Sequence, residues 1–99
     1  MSNKYVVAFR SDLNRRPSAE QEQQWSAWFG QIGAHVHTFG DRVGRAVMLG
    51  EPADAGDQLS GYIIVTADDL DAAVQIASGC PGLAHGGRVE VGEAVPGPA

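Results

Sequence analysis

Two stretches of this chain are apolar at nearly every position, and two others repeat apolar residues at helical spacing. Lys4 to Arg10 (KYVVAFR) and Gly61 to Ala67 (GYIIVTA) are rich in β-branched and aromatic residues on both faces. That is the pattern of strands covered on two sides. Trp25, Trp28, Phe29 and Ile32 fall at i, i+3, i+4 and i+7, one stripe of a helix. Ser18 with Gln21 three residues on predicts a capping box at its start, Glu20 and Glu22 suit its first turn, and Gly33 predicts its end. Leu70, Ala73, Val74 and Ala77 mark a second helix, with Thr66 as its cap, Asp68 and Asp69 in the first turn, and Gly79 then Pro81 as its stop.

Between these lie two alternating segments. In Ala34 to Asp41 (AHVHTFGD), alternation puts Ala34, Val36 and Thr38 on one face and His35, His37 and Phe39 on the other. Arg88 to Val95 alternates Val89 and Val91 with polar residues and glycine, a strand with one wet face near a sheet edge. Arg45 to Leu49 (RAVML), set off by Gly44, reads as an extra strand or hairpin arm after strand 2. Gly50 to Ser60 reads as a loop. The order β-α-β-β-α-β predicts an α+β, ferredoxin-like sandwich with both helices on one face of the sheet. The other face is then bare, and a second copy covering it makes a dimeric α/β barrel.

Ninety-nine residues suit a single domain, here residues 1–95, with residues 96–99 a frayed tail. A chain of this size buries only about two thirds of its unfolded surface, which favours a homodimer. A net charge of −5 with no run of Lys or Arg argues against nucleic acid as a partner. No stretch approaches the ~20 apolar residues of a membrane span. Cys80 is the lone cysteine and no signal peptide is visible, so a cytoplasmic location is expected.

The last third also carries a set of short motifs: Gly61-Tyr62 opening an apolar strand, Asp68-Asp69, Cys80-Pro81, Gly86-Gly87, then Val89 and Val91. Upstream stand Asp57-Gln58-Leu59-Ser60 and Gly40-Asp41-Arg42-Val43. Together these resemble the YCII-related family, including its DGPF subgroup. The resemblance implies a dimeric α/β barrel with a small-molecule pocket between the sheet and the partner subunit. It is similar in pattern but departs at two places. Where DGPF proteins carry their tetrad, this chain reads Leu49-Gly50-Glu51-Pro52. The family's proposed acid–base His near the start of the first helix has no counterpart in Ser18 to Glu22, so that role does not carry over.

Other residues must then supply any chemistry. His35 and His37, two apart on a strand, would project from one face with Cβ atoms about 7 Å apart. That spacing suits two metal ligands, a general base beside an orienting partner, or a purely structural strand face. Acid–base chemistry without metal or cofactor is expected, with His35 or His37 as base and Asp41 as its orienter. Arg10, at the exit of a central strand, would hold an anionic substrate group. Arg42 and His85 are further ligand-binding candidates, His85 at a pocket rim. The expectation is proton transfer, elimination or isomerisation on a small oxygenated compound. The alternative is a non-catalytic homodimer that binds a metabolite or another protein. Cys80 has no base beside it in sequence and reads as a buried small hydrophobe. Trp25 and Trp28 read as core.

Overall fold

A computed structural model describes residues 3–12, 17–50 and 58–97. Four strands, β1 (Asn3–Ser11), β2 (Val36–Arg42), β3 (Gln58–Ala67) and β4 (Arg88–Glu93), form one sheet in the order β2-β3-β1-β4. Every neighbouring pair is antiparallel, with the two apolar strands in the centre. Helices α1 (Ala19–Ile32) and α2 (Leu70–Ala77) are the two crossovers. This is the ferredoxin-like arrangement that the order of elements predicts.

The core follows from the central strands. Tyr5, Val7 and Phe9 of β1 and Ile63, Val65 and Ala67 of β3 are buried beneath the helices, joined by Trp28, Ile32, Ala73, Ala77 and Cys80. Phe9 meets Trp25, Trp28 and Phe29 edge-on at 5.2, 5.9 and 6.4 Å between centroids, the geometry that ring quadrupoles favour. The intervening residues Val6, Ala8, Tyr62 and Ile64 face away from the helices and are half-buried.

Ser18 caps α1 as its sequence predicts: its hydroxyl accepts from Gln21 N at 3.1 Å, and the Gln21 side chain accepts from Ser18 N at 2.9 Å. Elsewhere the local signals shift. Gly33 does not terminate the first helix in a left-handed conformation; it stays right-handed and begins a 3-10 turn, Gly33–His35. The cap of α2 is Asp69, whose carboxylate accepts from Ala72 N at 2.8 Å, because β3 runs on to Ala67 and takes Thr66 into the sheet. In α2 the stripe Ala73 and Ala77 is buried, whereas Leu70 and Val74 stay exposed on its flank.

Arg45 to Leu49 forms neither a strand nor a hairpin arm. With β3 occupying one edge of β2, this segment has no partner strand among the described residues, and Val47, Met48 and Leu49 stand in solvent. Of the loop predicted from Gly50, residues 51–57 lie outside the described residues, as do Glu51, Pro52 and Asp57 of the motifs above. Two of the tail residues, 98 and 99, lie outside as well. No described helix is long and apolar enough to cross a membrane.

Candidate functional site

The second strand decides the geometry of the site. Regular alternation would keep Val36 and Thr38 on one face, but the pairing with β3 slips twice. Val36 pairs with Val65, Thr38 with Ile64, Phe39 with Ile63 and Arg42 with Gly61. One extra residue is absorbed at His37 and another at Gly40–Asp41, as β-bulges do. Residues paired across an antiparallel ladder share a face. Val36, Phe39 and Arg42 therefore all lie on the helix face, in rows with Val65, Ile63 and Gly61. The expected grouping of His35, His37 and Phe39 on one strand face does not form.

His35 belongs to the 3-10 turn before β2 and is exposed beside a shallow groove with Gln31, Thr66 and Asp68. His37 sits in the first bulge, exposed, its Nδ1 2.7 Å from Thr38 Oγ1. Neither histidine lines the principal cleft. Among the described residues no group of three or more His, Cys, Asp or Glu side chains is arranged to hold a metal ion.

Arg10, Asp41, Arg42 and His85 do come together along one cleft of about 1640 Å³. It opens at the end of the sheet where β1 and β2 finish and β3 and β4 begin, reaching from beneath the N-terminal half of α1 to the strand ends that carry Arg10 and Arg88. Its apolar wall includes Phe9, Trp25, Phe29 and Phe39. Of the five described basic side chains (Lys4, Arg10, Arg42, Arg45 and Arg88), three line this cleft, though the chain as a whole is acidic. Arg88, which no local motif marks, pairs with Arg10 across β1 and β4, on the face turned from the helices. The only sequence signal for it was its place at the start of a strand.

His85 ends a second 3-10 turn, Pro81–His85, which Cys80 introduces and Pro81 starts in the position where a missing N–H costs nothing. Gly86 closes the turn in the left-handed region at φ 83°, and Gly87 N donates to Gly82 O at 2.8 Å. A side chain at Gly87 would sit 2.9 Å from Gly82 O and 3.1 Å from Arg10 O, so the absence of one lets the turn close against β1. His85 Nε2 lies 3.2 Å from Gln24 Oε1 on α1. An amide oxygen can only accept, so in the neutral ring Nε2 carries the proton and Nδ1 keeps its lone pair.

Cys80 lies at the floor of the cleft and is buried. Burial pushes its thiol above the ordinary range, partly offset by hydrogen bonding to the Gly82 and Leu83 backbone. A thiol held protonated is a poor nucleophile.

Comparison with known families matches the YCII-related domain profile over residues 6–94. No curated protein matches the chain. The matched span takes in all of α1, β2, β3, α2 and β4 and all but the first residues of β1, and so every residue of the cleft.

Proposed function

The chain belongs to the YCII-related domain family, and from that premise we propose a cytoplasmic homodimer with a small-molecule site in the cleft of each subunit, working as a cofactor-free acid–base enzyme of lyase or isomerase type. The observation that carries this is the convergence of Arg10 from β1, Asp41 and Arg42 from β2 and His85 from the second 3-10 turn on one aromatic-walled cleft. His85 supplies the base: Gln24 holds Nε2–H, and the Nδ1 lone pair takes a proton from a carbon beside an oxygenated group. A guanidinium stabilises the negative charge that develops on that oxygen. Asp41, also at the cleft, is the second proton-handling group. His35 and His37, to which the sequence alone points, lie outside the cleft and have no part in this reading. The homodimer rests on the sheet face opposite the helices, where Val6, Ala8, Tyr62 and Ile64 form an apolar centre that a second copy would cover.

The test is wash-in of deuterium from D2O into a panel of small oxo and hydroxy acids, read by NMR, with native mass spectrometry giving the subunit count. Exchange that His85→Gln abolishes supports the enzyme. Absence of exchange from every member of the panel ends the enzyme reading. One observation favours the second reading, a non-catalytic homodimeric module that binds a metabolite or a protein. Helix α1, AEQEQQWSAWFGQI, contains no histidine where the family's proposed acid–base residue would stand. Ligand binding without exchange selects that module.

A further inference from the structure

We propose that the ligand of this cleft is a ring-bearing carboxylate, its ring against Phe39 and its carboxylate on Arg42; the proposal rests on the cleft being the binding site, as above. The second bulge of β2 is what brings these side chains together. In a regular strand Phe39 and Arg42, three apart, would point to opposite faces. Here the extra residue at Gly40–Asp41 returns Arg42 to the face of Phe39, and both line the cleft.

Each side chain is left incomplete. Phe39 is 57% exposed, touching the aromatic core only through an edge-on contact with Phe29 at 5.8 Å. A large apolar side chain at an edge strand, left open beside a concave wall of Trp25 and Phe29, offers a flat surface to another ring. Among the described residues no carboxylate is paired with Arg42, not even its neighbour Asp41. Its row-mate on β3 is Gly61, which has no side chain to occupy the space over the sheet between Arg42 and Phe9. A planar guanidinium beside such a gap suits the two oxygens of a carboxylate, and the aromatic wall suits the apolar body that carries it. Arg10 is placed differently: it lies in a row with Arg88 on the other face of β1, away from Phe39.

The probes are phenylacetate (ring and charge), acetate (charge alone) and phenylacetamide (ring alone), each titrated into the full-length protein. Binding is read by Trp fluorescence, since Trp25 lines the cleft, and by amide chemical shifts. Phenylacetate is expected to bind at least tenfold more tightly than either partial probe. Arg42→Gln is expected to weaken phenylacetate at least tenfold and leave phenylacetamide unchanged; Phe39→Ser should weaken both ring probes. Both residues are exposed, and thermal melts check that the variants fold. Equal affinity for the three probes, no binding of phenylacetate, or an unchanged affinity in Arg42→Gln would each overturn the proposal. Arg42-dependent phenylacetate binding without deuterium exchange on any substrate leaves the ligand class standing and removes the enzyme. Exchange on acyclic acids with no phenylacetate binding does the reverse.

Discussion

Gly40 is where the second bulge of β2 meets the sheet, and replacing it by alanine tests the strand geometry directly. A methyl at this position would overlap the Tyr62 ring and stand 2.5 Å from Tyr62 O. The ring can swing aside, but the carbonyl is part of β3. Restoring an ordinary carbon–oxygen contact of about 3.3 Å requires β2 to retreat by roughly 0.8 Å, a shift that stretches flanking ladder bonds beyond hydrogen-bond length. Losing one or two such bonds costs about 1 kcal/mol each, within the ~1–3 kcal/mol typical of overpacking. Alanine's smaller unfolded-state entropy returns about 0.4–1 kcal/mol. The net destabilisation is about 1 kcal/mol, or a fall in Tm of roughly 4–8 °C for a domain of this size. Urea unfolding followed by circular dichroism should show a lower midpoint at unchanged slope. Gly30→Ala is the matched control. It lies in α1 with nothing within 4 Å of the added carbon, so alanine should stabilise the protein, by up to ~1 kcal/mol. If Gly40→Ala melts with the wild type, β2 does not lie against Tyr62 as described, and the placement of Phe39 and Arg42 falls with it.

Gly87→Ala should also destabilise, by about 1–2 kcal/mol, because both atoms it would crowd, Gly82 O and Arg10 O, are backbone; the same urea experiment reads it. Ser18→Ala removes the acceptor for Gln21 N and should cost about 1 kcal/mol, read as a lower urea midpoint. Cys80 should resist thiol reagents in the native protein and react on unfolding, since burial raises its pKa. The sign of its pH effect follows. Below pH about 8 the thiol is protonated whether folded or not, and its contribution is fully present. As pH rises through the ordinary thiol range toward the raised folded value, the unfolded thiol ionises first and stability is lost. Cys80→Ala should flatten that decline in melts taken across alkaline pH.

Much of the fold could be read locally. The capping box at Ser18, the apolar stripe of Trp25, Trp28, Phe29 and Ile32, and the two-sided apolar strands each depend on a few neighbouring residues. Their order along the chain then leaves few right-handed ways to assemble a sheet. Arg10, Asp41, Arg42 and His85 were also legible as candidates, because charged residues at strand ends and beside turns tend to meet at one end of a sheet. Arg88 was not, since nothing local marks a strand-opening arginine as part of a site formed with β1.

Strand 2 shows the limit. Alternation is a rule for a regular strand, and a bulge breaks it without an obligatory sequence signal; only the cross-strand partner decides which residue is left over. Pairing with Val65, Ile64, Ile63 and Gly61 carried out that choice, placing Phe39 and Arg42 under the helices and leaving His35 and His37 outside the cleft. The sequence by itself determined the elements, their order and the composition of the core, because these follow from periodicity and capping over short spans. Which face of β2 meets the core, and hence which side chains share the cleft, was decided by contacts between residues 19 to 29 positions apart along the chain, which only the tertiary structure brings into register.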